Sequence, residues 1–342
     1  MNSNLKCKIT IILISCVLLL AGPLSPWATE SEKTVTYQTG FYYTIQKGDT
    51  LWDLSQKFSD TPWQWPEMWK ENEQIANPHR IYPGQRIRLS RRTGADQYAE
   101  KKPLQNLSAI DKMIHFEYAS IDRIGFIREQ PETPRGTIFK VEGQKEMIST
   151  GDLVYIRPEN NFALNPGDKL TVYRTLTPIV NKNTNKYVGI QHYFTGAVEI
   201  TVKRPDFVLG RVVANYRPIK VGDMLMPYER RLRQISIQKS PEGLQGQIIE
   251  SEEHQVIFSE TSIAFIDKGE KDGVKPGQLY WIFKQEKYRI NPEQKSDVTL
   301  TPVLLGELLV LHTERTTSTV MITDSIKAIQ AGTKITSPIK LD

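Results

Sequence analysis

The side chains that most often carry out chemistry are dispersed in this 342-residue sequence. No HExxH or similar metal-binding pair is formed by its five histidines, which are His79, His115, His192, His254 and His312. GxSxG motifs and phosphate-binding glycine loops are missing from the sequence. The sequence therefore predicts no catalytic residue, no metal site and no cofactor. The abundant Asp and Glu still leave open a carboxylate pair that would cleave a glycosidic bond.

Residues suited to ligand binding are concentrated between positions 42 and 90. The predicted elements, in order, are a strand at 43–46, a turn at Gly48 and Asp49, a helix through Leu51, Trp52, Leu54 and Phe58, a second helix at 65–72, a proline-containing loop at 77–84 and a strand at 86–89. Asp49 is predicted to cap the first helix, with its carboxylate accepting from free amide groups. The order of elements is βααβ.

Two motifs in this stretch, GDTLWDLS from Gly48 and IANPHRIYPGQRIRL from Ile75, resemble those of the LysM domain. The resemblance implies binding of N-acetylglucosamine-containing glycans such as peptidoglycan. In LysM domains the sugar lies in a shallow groove between the loop after the first strand and the loop before the last, held largely by backbone hydrogen bonds. The glycan-binding residues implied here are Gly48, Asp49, Thr50, Leu51, Ile75, Asn77, Pro78, Ile81 and Tyr82.

A tryptophan-rich insert at 61–66 departs from a minimal LysM domain. Four of the six tryptophans lie between positions 52 and 69. A tryptophan side chain supplies either core volume or a flat platform on which sugar faces stack. Trp52 and Trp69 are predicted to lie in the core, and Trp63 or Trp65 is the candidate platform.

Residues 1–28 are predicted to be an export signal. Lys6 and Lys8 precede an apolar run at 9–21 that is short for a membrane span, and a cleavage site is plausible near residue 28. Both cysteines of the chain, Cys7 and Cys16, lie in this segment, so the mature chain would hold no thiol or disulfide. We expect a periplasmic protein with possible outer-membrane association. Acylation of Cys16 is the less favoured alternative.

Charge and length limit what the rest of the chain can be. The net charge of +5 includes two lysines of the predicted signal, and the remaining +3 is spread among nearly as many acids. Such a balance does not favour nucleic acid as a partner. A mature chain of about 310 residues allows two or three domains. Residues 91–115 are polar and lack periodicity, which predicts a linker that lets the modules on either side move independently.

An internal repeat follows this predicted linker. Sliding residues 116–228 onto 226–338, an offset of 110, superposes four pairs of glycines, which are Gly136 with Gly246, Gly167 with Gly277, Gly196 with Gly306 and Gly222 with Gly332. Short runs rich in β-branched and aromatic residues fall at equal places in both copies. We therefore predict an α+β fold, with the βααβ module followed by a mainly antiparallel β region. That region would comprise two tandem barrel-like or sandwich-like repeats at 116–228 and 229–338.

The second repeat resembles the C-terminal domain of flagellar assembly protein T over IAFIDKGEKDGVKPGQLYWIF, GELLVLHTERTTSTVMI and IQAGTKI. A LysM domain followed by that module resembles the type IV pilus secretin-associated proteins, which tie an outer-membrane secretin ring to peptidoglycan. The resemblance implies a secretin or related envelope protein as a partner. The additional upstream repeat departs from that pattern.

Two functions remain open at this point. The first is a non-catalytic periplasmic adapter that anchors an envelope complex to the cell wall. The second is a cell-wall hydrolase that its LysM module directs to its substrate. Because the sequence after residue 115 is accounted for by a duplicated β pattern, we favour the adapter and expect no enzymatic activity.

Overall fold

The computed structural model describes residues 38–59, 61–89, 113–145, 147–160, 162–182, 184–290 and 297–338. The predicted export signal and residues 91–112 of the predicted linker lie outside the described residues. Within the ranges just given, no helix is long and apolar enough to cross a membrane.

Two short helices and twenty strands make up the described structure. The helices are α1 (Leu51–Phe58) and α2 (Trp65–Lys70). In chain order, the strands are β1 (Gly40–Thr44), β2 (Arg86–Arg88), β3 (Ile114–Glu117), β4 (Phe126–Arg128), β5 (Gly136–Val141), β6 (Leu153–Pro158), β7 (Lys169–Thr175), β8 (Ile179–Val180), β9 (Tyr187–Lys203), β10 (Val208–Asn215), β11 (Met224–Pro227), β12 (Gln234–Ser236), β13 (Gln245–Ser251), β14 (Ile263–Ile266), β15 (Leu279–Lys284), β16 (Lys287–Tyr288), β17 (Val298–Thr299), β18 (Val303–Thr313), β19 (Ser318–Ser325) and β20 (Lys334–Thr336). The predicted α+β class is confirmed.

The N-terminal unit, residues 40–89, has the predicted βααβ order. Thr50 caps α1, because its hydroxyl oxygen accepts a hydrogen bond from the amide of Asp53 at 3.1 Å. The prediction that Asp49 is the cap is wrong. Its carboxylate turns back instead and accepts from the Gln46 amide at 2.7 Å and from the Tyr43 hydroxyl at 2.9 Å. Asp49 thus closes the β1–α1 turn onto the strand that precedes it.

A buried asparagine joins the second helix of this unit to its last strand. The Asn72 side chain donates to the carbonyl oxygens of Met68 at 2.7 Å and Arg88 at 3.0 Å, and it accepts from the Arg88 amide at 2.6 Å. These three bonds satisfy the buried amide group and fix the end of α2 against β2. The loop between them, which forms one side of the candidate groove, therefore starts and ends at fixed points.

The sheet of the N-terminal unit is larger than a βααβ module supplies. Four strands pair in the order β12-β3-β1-β2, and β3 pairs antiparallel with β1 from Gly40 opposite Glu117 to Tyr43 opposite Ile114. Residues 114 and 115, which the sequence assigned to a linker, therefore lie in a strand. The edge of β1 would otherwise expose unpaired amide and carbonyl groups, and pairing with β3 satisfies them.

The two repeats form two six-stranded rings with the same connections. The second is a closed barrel of order β13-β14-β19-β18-β15-β20. In the first, the pairings follow the equivalent cycle β5-β6-β10-β9-β7-β11, and β4 and β8 are added to β9. Isolated bridges also recur at the predicted offset of 110, joining Ile148 to Ile219 and Phe258 to Ile329. The predicted pair of barrel-like or sandwich-like repeats is confirmed, and the strand pairings are those of barrels.

The aligned glycines mark positions where the backbone of this fold excludes a side chain. Gly167 and Gly277 have φ angles of +92° and +91°, a region that L-residues other than glycine rarely enter. A Cβ at Gly196 would lie 2.4 Å from the Ala214 carbonyl oxygen, and one at Gly306 would lie 2.1 Å from that of Asp324. The repeat is therefore visible in the glycines because both barrels impose the same backbone geometry.

The N-terminal unit and the second barrel share one hydrophobic core. Strands β1 and β3 supply Phe41 and Phe116, and the outer face of the second barrel supplies Leu279, Leu309, Leu311 and Met321. The residues of the first barrel that lie 110 positions earlier are polar, namely Lys169, Glu199, Thr201 and Arg211. At these positions the outer face is thus apolar in the second barrel and polar in the first. The prediction that the modules on either side of the linker move independently is wrong for this pair.

We predict that this apolar face makes the second barrel dependent on the N-terminal unit. A fragment of residues 227–338 should aggregate or melt at low temperature, because four large apolar side chains would face water. The same fragment carrying Leu279→Lys, Leu309→Glu, Leu311→Thr and Met321→Arg should be monomeric and β-rich by circular dichroism and light scattering. Equal aggregation of the two fragments would contradict the shared core.

A buried histidine in the first barrel should make stability depend on pH. The Nε2 of His192 accepts from the Glu132 amide at 2.8 Å, and its Nδ1 lies 3.2 Å from the Ile190 carbonyl oxygen. Burial, with a contribution from the Arg128 charge, lowers the pKa of His192 to about 4. Protonation would remove the acceptor from the Glu132 amide. The neutral form is therefore the one that the fold holds.

The sign of the effect follows from the lowered pKa. Above about pH 6.5 both the folded and the unfolded chain carry a neutral histidine, and as pH falls toward 4 only the unfolded chain takes up the proton. Stability should therefore fall over that range, by up to about 3 kcal/mol from this group. In urea unfolding at pH 7, 5.5 and 4.5, His192→Gln should be less stable at pH 7 but lose less stability on acidification than the original chain. Parallel losses would refute the assignment.

Candidate glycan-binding groove

Two loops of the N-terminal unit lie side by side and form the candidate groove. The first loop, residues 45–50, joins β1 to α1, and the second, residues 71–85, joins α2 to β2. Their ends are tied by two backbone hydrogen bonds of 2.9 Å, from the Ile45 amide to the Gln85 carbonyl and from the Gly84 amide to the Ile45 carbonyl. The structure therefore brings the two predicted binding loops together.

The first loop exposes Gly48 and Thr50 and leaves Asp49 partly exposed. Gly48 has a φ of +97°, which favours glycine in this turn. Leu51 is 2% exposed and belongs to the core, so it offers almost no surface to a ligand. The loop thus offers backbone groups and two short polar side chains.

The second loop is braced from within. The Asn77 side-chain oxygen accepts from the His79 amide at 2.9 Å, and the Gln85 side-chain oxygen accepts from the Tyr82 amide at 2.9 Å. Tyr82 is 57% exposed and is the exposed large hydrophobic side chain of the loop. Pro78 and Ile81 are half-buried, and Asn77 is exposed.

Ile75, like Leu51, is buried and takes part in the core. Its carbonyl oxygen accepts a 2.6 Å hydrogen bond from the indole nitrogen of Trp69, and its amide donates to Asn72 at 2.9 Å. Both main-chain groups are thus occupied within the domain. Ile75 therefore has little to offer a ligand, and its role is to hold the loop in place.

The four tryptophans of this unit divide into a half-buried pair and an exposed pair. Trp65 and Trp69 are half-buried and pack against the core. Trp52 and Trp63 are 39% and 75% exposed, with ring centroids 4.8 Å apart and planes at 78°. The prediction that Trp52 is a core residue is wrong, because the buried face of α1 carries Leu51, Leu54 and Ser55 instead. The exposed pair is a second aromatic surface on the same unit, and only Trp63 was a candidate from the sequence.

The groove can bind through hydrogen bonds and ring contacts. Among the residues that the structure describes, no group of three or more His, Cys, Asp or Glu side chains is placed to hold a metal ion. The acidic group of the first loop, Asp49, is already engaged with the Tyr43 hydroxyl, and burial together with this bond raises the pKa of Tyr43. Asp49 thus acts as a brace for the first loop.

Replacing Tyr82 by Asp should test the groove. A carboxylate placed among ligand atoms would lose water without gaining a cation, so binding to chitooligosaccharide or peptidoglycan should weaken by about tenfold or more. Tyr82→Phe should bind nearly as well as the original chain. Tyr187→Asp, at a position that is 52% exposed on the first barrel, is the matched control and should have no effect. Unchanged binding of Tyr82→Asp in titration calorimetry would exclude this groove.

Comparison with known proteins adds a domain assignment. Residues 43–90 match the LysM domain family. An uncharacterized protein of Bacillus subtilis (strain 168), YqbP, is 40% identical to this chain over 57 residues, which is 14% of this chain and 26% of that protein. The match therefore spans about a quarter of the relative, and it concerns a segment rather than the whole of either chain. Residues 43–90 are a LysM domain, a carbohydrate-binding module that recognises peptidoglycan-type glycans, and here it shares a hydrophobic core with the second of two β-barrels.

Proposed function

We propose that this protein is a non-catalytic periplasmic adapter that binds peptidoglycan through its LysM domain and an envelope complex through its two barrels. The observation that carries the proposal is the core shared by the LysM domain and the second barrel. Because this joint is packed, a partner bound to the barrels would be held in a fixed position relative to the glycan strand. A flexible linker would not hold it in this way. Such a joint suits an anchor.

The nature of the second partner is inferred from sequence. The second barrel resembles the C-terminal domain of flagellar assembly protein T, and the order of domains resembles that of type IV pilus secretin-associated proteins. We therefore assign the barrels to an outer-membrane secretin or a related envelope protein. Residues 1–28, as an export signal, would deliver the chain to the periplasm, where both partners are accessible.

Binding and lysis can be measured in one experiment. Purified sacculi incubated with the full chain should carry it into the pellet on centrifugation, while the turbidity of the suspension stays constant. One LysM groove offers few contacts, so binding should be weak, with a dissociation constant on the order of 10 μM or above. A falling turbidity would show that the protein is a hydrolase and would overturn the adapter proposal.

The two binding activities should also separate by mutation. Deleting the LysM domain would expose the apolar face of the second barrel, so the point variant Tyr82→Asp in the full chain is the better probe. We expect this variant to co-purify with the same envelope complex as the original chain while that complex no longer sediments with sacculi. A complex that stays on the wall in this variant would contradict the anchoring role.

A further inference from the structure

The two barrels meet through a hairpin of the first barrel that lies on one face of the second. This hairpin contains β8 and the start of β9, and its Ile179 and Val188 pack against Ile249 and Phe265 of the second barrel. Lys182 of the same hairpin forms an ion pair with Glu250 at 3.2 Å. The junction thus has direction, with a donor hairpin on the upstream barrel and a receiving face on the downstream barrel.

The second barrel carries the equivalent hairpin with its apolar side chains in solvent. The terminal hairpin consists here of residues 285–290 and 297–303, which include the paired strands β16 and β17. Five of its large apolar side chains are more than two-fifths exposed, at Tyr288 (60%), Ile290 (70%), Val298 (43%), Leu300 (41%) and Val303 (49%). Val298 lies 110 positions after Val188, one of the two hairpin residues that pack at the internal junction, and Arg289 lies at the position equivalent to the other, Ile179.

The first barrel carries the equivalent receiving face. Phe139 and Tyr155 lie 110 positions before Ile249 and Phe265, and Phe139 is 43% exposed. The Tyr155 ring contacts those of Phe139 and Phe207, at centroid distances of 6.0 Å and 5.5 Å. We call Phe139, Tyr155 and Phe207 the aromatic face. Phe139 is the exposed member of this cluster, and Tyr155 and Phe207 are half-buried. A partly exposed aromatic cluster of this kind is suited to an interaction surface.

Comparison with the other outer face of the barrels strengthens this interpretation. Where the second barrel packs on the LysM domain, the first barrel has Lys, Glu, Thr and Arg at the equivalent positions and no partner is needed there. At the aromatic face, the first barrel keeps large apolar rings although Phe139 is 43% exposed there. The first barrel is thus polar at the positions where the second barrel packs on the LysM domain, and it is apolar at the aromatic face.

The charged residues at the internal junction have charged counterparts beside the two exposed surfaces. At the internal junction Arg217 contacts Glu252 at 2.9 Å and Glu253 at 2.7 Å. Lys327 and Glu142 lie at the positions equivalent to Arg217 and Glu252, and both are exposed. If the junction were repeated between chains, Lys327 of one chain would therefore face Glu142 of the next, and their opposite charges would attract.

We propose that the terminal hairpin of one copy docks on the aromatic face of a second copy, so that chains associate head to tail. The occupant of each surface is this chain itself, because the second barrel already shows a hairpin of this type seated on a face of this type. Such a contact is heterologous and builds a ring if its rotation closes or a filament if it does not. This proposal is independent of the envelope partner proposed above, and it would place several LysM domains on one assembly.

Self-association should be visible with the full chain alone. Its weight-average mass in sedimentation or light scattering should rise with concentration above that of one chain. Val298→Asp, which would bury a charge in the contact, should lower the association constant by about tenfold or more. Leu232→Asp, at a position that is 75% exposed and belongs to neither surface, should associate as the original chain does. A mass of one chain at every concentration would overturn the proposal and leave these surfaces to a different protein.

Cross-linking distinguishes a head-to-tail contact from a symmetric one. In the full chain with Cys7→Ser and Cys16→Ser, which removes both native cysteines, single variants Val298→Cys and Phe139→Cys should be mixed and treated with a short bismaleimide. The proposal requires cross-links between the two different variants and background levels within each variant alone. Strong cross-linking of Val298→Cys to itself would indicate paired hairpins and would refute the head-to-tail contact.

Charge reversal gives a third readout. Lys327→Glu and Glu142→Lys should each weaken association by about two- to fivefold, since each sets like charges against one another at an exposed contact. The chain carrying both changes should regain most of the original association. If the double variant is as weak as the product of the two single effects, the two residues do not meet and the proposed arrangement is wrong.

Discussion

The structure depends on one apolar contact, in which the outer face of the second barrel packs under the sheet of the LysM domain. A βααβ module of about 50 residues is near the lower size at which a chain can bury a stable core by itself. Here the core is enlarged from outside by Leu309, Leu311 and Met321, which are nearly or completely buried. Each such side chain contributes about 1.5–3 kcal/mol on burial. The sheet is also extended by β3 and β12, so the domain gains backbone hydrogen bonds as well as apolar contacts.

One barrel frame thus serves two purposes with different outer residues. In β9 the sequence Val198-Glu199-Ile200-Thr201 alternates between the barrel interior and solvent, as a strand with one buried face should. In β18 the equivalent sequence, residues 308–311, is apolar throughout, with Leu308 and Val310 in the barrel core and Leu309 and Leu311 under the LysM domain. Since the inner residues are alike, the duplication kept the fold and the outer residues determined what each copy carries.

The sequence predicted the features that backbone geometry imposes. The offset of 110 was visible because glycines such as Gly196 and Gly306 are fixed by a carbonyl oxygen that leaves no room for a side chain. The two halves of the groove were visible because their turns need particular residues. Strands β3 and β12 were not predicted, because they have four and three residues and pair across a wide sequence separation. The uninterrupted apolar sequence of β18 indicates a second buried face. This signal can be recognised only by comparing β18 with the alternating sequence of β9.

The local errors have a similar cause. Asp49 and Thr50 both favour a helix N-cap, and the hydrogen bond from the Tyr43 hydroxyl, which depends on the folded strand, decides between them. Trp52 lies next to Leu51 in sequence, but a helix turns successive residues by about 100°, so it points away from the core. In each case the outcome depends on contacts that form only after the elements have packed.

The two joints of the molecule use different chemistry, and the difference affects how rigidly the groove is held. The LysM joint is apolar, and such contacts tolerate small shifts because they have no preferred direction.

The joint between the barrels instead buries Glu252 beside Arg217, with the Gly125 amide donating to the same carboxylate at 2.5 Å. Burial raises the pKa of Glu252, so its charge is stable only while these partners are in place. Removing one partner of such a buried pair costs about 3–5 kcal/mol, whereas a well-placed pair adds little net stability. The pair therefore contributes mainly specificity, since it penalises any other arrangement of the two barrels. Because strand pairing between β12 and β3 adds directed hydrogen bonds to the apolar joint, the LysM domain keeps one orientation relative to the second barrel.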